Sequence, residues 1–253
     1  MEVHHHTHTD PAQSGTSGKK FTHYLWEFLM LFLAVFCGFL AENFRESLII
    51  KEKAHQYMEN MVADLKEDVA AFDTAAHYTQ LWHDHLDTAL KIPIDRLRNI
   101  NSQDTFFYHF YPYYSWIVYI EQSDNTISQL KAGGFNLVHD KNTIDSINAV
   151  NGFYKGVKFT VDFNVAAYWD AIKKAQEIMK LPSPAIVIED AIPRSIPANT
   201  EIFMHFDEQA IQQLYNKLAN AKASLMTCVI FEKQYREKAA RLLGYLQGKY
   251  DIK

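Results

Sequence analysis

The chain of 253 residues is 48% apolar and carries only 9 Gly, 7 Pro and 2 Cys, so its Gly plus Pro share is about half the usual one. Few backbone breakers favour long helices, and these values exclude collagen-like, low-complexity, disordered and disulfide-stapled classes. A formal net charge of −5 gives no basic signature for nucleic acid, and the mean hydropathy of −0.23 averages over one very apolar stretch.

Residues 1–20 are polar and read as a disordered tail. His4, His5, His6 and His8 offer imidazoles to a divalent metal, although a flexible tail fixes no geometry.

The stretch FLMLFLAVFCGFLA, Phe28–Ala41, has no polar side chain beyond Cys37. Extended back to Tyr24 it gives a window of about 18 residues, or about 27 Å of helix, close to a hydrocarbon core of about 30 Å. Glu27 is the single charge in it, and Tyr24 and Trp26 suit one interface, Phe44 and Arg45 the other. Residues 21–44 are therefore expected to form a transmembrane helix. No small-x-small cleavage site follows the stretch, which favours an uncleaved signal anchor. The expected arrangement is a bacterial inner-membrane protein with its tail in the cytoplasm and its large domain in the periplasm.

Within the span, Ala34 and Gly38 are four apart, as are Cys37 and Ala41. Small residues at this spacing let a second helix approach closely. Glu27, seven residues before Ala34, shares that face. It either snorkels to water, contacts a helix bundle or lines an ion path.

Helical patterning continues past the span. No Gly or Pro occurs between Gly38 and Pro93, and Met58, Val62, Leu65, Val69, Phe72 and Ala76 recur at spacings of four and three, a heptad stripe. Charges such as Glu59, Asp64, Lys66, Glu67 and Asp68 are expected on its solvated face. His77, His83 and His85 with Asp84 and Asp87 form a polar cluster near its end, which reads as a solvated face or a metal site.

Segment 106–119, FFYHFYPYYSWIVY, is extremely aromatic. It reads either as a hydrophobic cap for the bundle or as a partner surface built by Phe107, Tyr108, Tyr111, Tyr113, Tyr114 and Trp116. Short helices are expected at 123–135, capped at Ser123, Asp124 or Asn125, at 142–156, capped by Asn142 and ended by Gly156, and at 160–180. Residues 181–200 hold four Pro and read as a loop with a brief strand near 185–188. A final helix of about 40 residues follows Asp207, with a stripe through Ile211, Leu214, Leu218, Ala221, Leu225 and Cys228. Cys228 lies in that stripe as a small hydrophobe. Neither long helix can bury its stripe alone, so the two are expected to pack antiparallel.

The fold expected is all-α, with residues 45–253 forming the helical extramembrane domain. The run WEFLMLFLAVFCGFLAENFRES, a helix containing MVADLKEDV, the start HHHTH and the segment DNTISQLKAGGFNLV together resemble an uncharacterised bacterial family of single-span membrane proteins. The resemblance is most specific over residues 19–70. It implies a membrane anchor with a helical domain and brings no activity or site residue.

No dinucleotide loop, phosphate-binding loop, nucleophile elbow or zinc-peptidase helix is present. Glu52 and His55 make one Glu-x-x-His where a di-iron bundle needs two. His109, His139 and His205 stand isolated. The expectation is a non-enzyme without cofactor. Its partners would be the lipid bilayer and either copies of itself or other membrane subunits, not nucleic acid. A ligand-sensing bundle is the alternative reading, and a metal-handling protein a further one.

Overall fold

A computed structural model describes residues 17–115, 119–180, 187–189, 192–195 and 201–253, with side chains described over 22–115, 119–180 and 201–253. The chain divides into two compact units, residues 1–53 and Ala54–Lys253. Helix α1, Ser17–Leu90, contributes to both. The second unit begins at Ala54, nine residues after the boundary expected at residue 45.

The first unit is described from Ser17, and its described residues are all helical. Its apolar side chains from Tyr24 to Ile49 are all exposed. An apolar window exposed on every side leaves its side chains in contact with water, which is unfavourable.

The second unit is all-α, apart from a small antiparallel hairpin of β1, Val187–Glu189, and β2, Ile192–Ser195. From Met58 onward, α1 buries Met58, Met61, Val62, Leu65, Phe72, Ala75 and Ala76, close to the predicted stripe. The helix stops at Leu90 because Pro93 cannot continue it; Pro93 instead caps a 3₁₀ turn, Ile94–Arg98.

Helix α2, Ile100–Ser115, carries the aromatic segment inward. Phe106, Phe107, Phe110 and Tyr113 are buried in one core cluster with Trp82, Leu86, Tyr168, Ile211 and Leu218. Gln103 ties the segment before α5 to this helix: its amide donates to Leu97 O at 2.8 Å and its carbonyl accepts from Ile202 N at 2.9 Å.

Helix α3, Asn125–Lys131, ends at Gly133, whose φ of 144° lies where an L side chain is strained. Helix α4 runs unbroken over Lys141–Ile178. The two helices expected at 142–156 and 160–180 are therefore one. Gly156 does not terminate it; the Phe231 ring sits 3.3 Å from where a Cβ would be, so glycine here admits an aromatic neighbour. The cap is Asp140, which accepts from Thr143 N at 2.7 Å, not Asn142. Helix α5, Glu208–Tyr250, begins as expected at Asp207, whose carboxylate accepts from Ala210 N at 3.1 Å.

Helix α5 packs antiparallel to both α1 and α4. Against α1 the pairs are Asp87–Lys222, Thr79–Glu232 and Asp68–Tyr235. Against α4 they are Asp170–Lys217, Asn164–Ser224 and Thr160–Cys228. The core divides along this length. One half is closed by α2; the other holds Met58, Leu65, Phe72, Ile147, Val157, Tyr235 and Leu242 and is closed by Ile120, Ile127, Leu130 and Val138. Three long helices run throughout, and α2 and the α3 region share the fourth position.

Phe110 is 0% exposed. Phe110→Ala is expected to lower stability by about 3–5 kcal/mol through the cavity it leaves, read by urea unfolding of the full chain in mild detergent.

Candidate functional site

Three features carry chemistry: the exposed apolar helix, a buried acidic seam and a histidine pair.

In the first unit, Glu27 lies on the face that includes Ala34, and its Oε1 sits 3.2 Å from Nε2 of His23, one turn earlier. Ala34, Cys37, Gly38 and Ala41 are all exposed, and a Cβ at Gly38 would meet nothing within 4 Å. One helix of the chain is thus long and apolar enough to cross a membrane, and none of its apolar window is buried among the described residues.

The seam between α1 and α5 is acidic. Asp68, expected on a solvated face, is buried. Its Oδ2 accepts from Tyr235 Oη at 2.5 Å and its Oδ1 from Ser123 N at 2.8 Å. Asp64, one turn earlier, accepts from Thr126 N at 3.1 Å and so caps α3, a task its own Asp124 side chain leaves undone. Two carboxylates four apart on α1 thereby hold the segment that leads into α3. Burial raises Asp68 above the usual carboxylate range despite these donors, and pushes Tyr235 well above an ordinary tyrosine.

Glu232 is 1% exposed. Its Oε1 accepts from Thr79 Oγ1 at 3.4 Å, and its Oε2 has no hydrogen-bond partner among the described residues. Burial raises it to about 7. One turn earlier, Cys228 is pushed up to about 12 by burial, so it is an inert thiol whose Sγ donates to Thr160 O at 3.3 Å.

The polar cluster near the end of α1 does not converge on one point. His77 is exposed beside Tyr78, and His83 Nδ1 lies 2.9 Å from Asp84 Oδ1. Asp87 is held by Lys91 at 2.6 Å and Lys222 at 2.9 Å, which lower it to about 2. Its oxygens are committed to lysines, so His83 and Asp87 form no shared ligand set. His85 instead meets His109 of α2, with their Nδ1 atoms 3.3 Å apart. Sequence spacing missed this pair, because the two residues lie 24 positions apart on different helices. Desolvation lowers both imidazoles, and for His85 the proximity of His109 lowers it further.

The aromatic partner surface needs correction at Phe107 and Tyr113, which are 0% and 1% exposed and belong to the core, where apolar area gains most from burial. Tyr111 and Tyr114 are half-buried and Tyr108 is exposed; Trp116 lies outside the described residues. His4, His5, His6 and His8 also lie outside them. Among the described residues, no group of three or more His, Cys, Asp or Glu is arranged to hold a metal ion. No family model, curated protein or solved structure matches the chain.

The pH dependence follows from the shifts. The folded chain holds a proton on Glu232 that the unfolded chain releases above its ordinary value of 4.5, so stability from this group falls as pH rises from about 4.5 to about 7. Glu232→Gln is expected to gain about 3 kcal/mol over the parent at pH 8, with the gap closing toward pH 4.5, in urea titrations across that range. The histidine pair acts in the opposite sense. Both imidazoles are lowered from 6.5, so stability is lost as pH falls below that value, and His109→Gln is expected to flatten this loss.

Proposed function

We propose that this protein is a single-span membrane protein whose helical extramembrane domain works without catalysis, as a self-associating unit or an accessory subunit of a membrane complex. The observation that carries the reading is the wholly exposed apolar window of α1, which requires either lipid or another helix around it. The small residues Ala34, Cys37, Gly38 and Ala41 supply the close-approach face for such a neighbour, and Gly38 is unobstructed. Glu27, paired with His23, sits toward one end of the window, where its carboxylate can reach the interface. The large domain is assigned to the periplasmic side of a bacterial inner membrane, with the tail in the cytoplasm.

The bundle supports a binding or scaffolding role. Its inward polar groups serve packing: Asp64 and Asp68 hold the α3 segment, Gln103 holds the segment at Ile202, and Cys228 is inert.

The full chain is expected to stay with membranes through alkaline carbonate and to leave only with detergent. In mild detergent it should cross-link to itself or to a co-purifying membrane protein. Gly38→Leu should reduce that adduct several-fold, while Val35→Leu, outside the small-residue face, should not. Carbonate release, or monomers alone with no co-purifying protein, would overturn the reading. Maleimide labelling of cysteines introduced at Ser14 and at Tyr250 should place the two ends on opposite sides of the membrane.

A further inference from the structure

Imidazole nitrogens from two helices meet at one place. His85 projects from α1 and His109 from α2, with Nδ1 atoms 3.3 Å apart and ring centroids 5.1 Å apart. Two imidazoles bound to one tetrahedral ion at about 2.05 Å each have nitrogens about 3.3 Å apart, the separation found here. Both rings are half-buried, so they are fixed by packing on one side and open to water on the other. Tyr108 flanks the pair, its ring 6.0 Å from His85 and 5.1 Å from His109. Burial favours the neutral, metal-binding form of both rings, the proximity of His109 adds to this for His85, and Asp84 is the carboxylate beside His85.

We propose that His85 and His109 form a binding site for one divalent transition-metal ion of the Zn²⁺, Ni²⁺ or Cu²⁺ class, held between α1 and α2 with water completing its coordination. Imidazole selects these ions over Mg²⁺ and Ca²⁺, which require oxygen donors. In the free protein one Nδ1 donates its proton to the other across the 3.3 Å contact. On metal binding that proton moves to Nε2 of the same ring, which frees both Nδ1 lone pairs for the ion and leaves the net proton count unchanged. The ion then clamps α2, with its buried Phe106, Phe107 and Phe110, onto the last turns of α1. Protonated imidazoles compete with it, so affinity falls as the medium is made more acidic.

The test uses the full chain in detergent with His4, His5, His6 and His8 all changed to Ala, so that the tail contributes nothing. Calorimetric titration at pH 7.5 should show one Zn²⁺ bound per chain at micromolar concentration, a raised thermal midpoint and no response to Mg²⁺. His85→Gln and His109→Gln should each weaken binding at least tenfold, while His83→Gln, whose ring contacts Asp84, should leave it unchanged. Circular dichroism establishes that each variant is folded. Electron paramagnetic resonance of the Cu²⁺ form reads the ligands without any substitution at the pair: coupling to two imidazole nitrogens supports the site. Absence of bound ion, binding unaffected by both substitutions, or coupling to fewer than two imidazoles would overturn it.

Discussion

The second unit depends on helix α5 being wanted on two sides. Its apolar stripe is wide enough to serve α1 along one edge and α4 along the other, and both neighbours run antiparallel to it. Because α5 has no Pro and a firm Asp207 cap, it stays straight-through for 43 residues and gives the other helices a common register. Once that register exists, α2 and the α3 segment are chosen by what remains uncovered: one closes the half of the core containing Leu218, the other the half containing Tyr235.

Polar groups within the bundle are placed at the points where elements change. Gln103 satisfies Ile202 N where the chain returns from the hairpin, and Asp68 satisfies Ser123 N where it enters α3. A backbone donor left alone in such positions would cost about 1–3 kcal/mol, so a buried side chain that meets it has a structural role. Glu232 is different. Among the described residues its carboxylate meets only the Thr79 hydroxyl and keeps one oxygen without a partner, and burial raises it to about 7. The histidine pair, in turn, lies on the α2 side of α1 and responds to acid in the opposite direction. Between about pH 4.5 and 6.5 the two effects act in opposite directions, so each offsets part of the other's change in stability.

Much of the architecture was legible in the residues. The heptad stripe through Met58, Val62, Leu65 and Phe72, the Asp207 cap and the stop before Pro93 are local signals, and all three occur as read. The failures share a cause. Gly156 reads as a stop because glycine is a poor helix former, yet Phe231 from a helix 75 positions later stacks against it and rewards the missing side chain. Asp68 reads as solvated because it is charged, yet the chain at Ser123 and the Tyr235 hydroxyl cover it. For the aromatic segment, the hydrophobic-cap reading matches Phe107 and Tyr113 and the partner-surface reading does not, because α1, α4 and α5 all converge on α2 and share these rings.

The sequence by itself determined where helices form, which stretch is apolar on every side and which stripes must be buried. These follow from periodicity and from the scarcity of Gly and Pro, properties of residues within a few turns of each other. Only the tertiary structure decided what each stripe packs against, that α4 is one helix, and that Asp68 and Glu232 lie in a buried seam. It also brought His85 to His109. The reason is physical: helix formation is settled by neighbours along the chain, whereas desolvation and the meeting of ligand atoms depend on residues brought together across it.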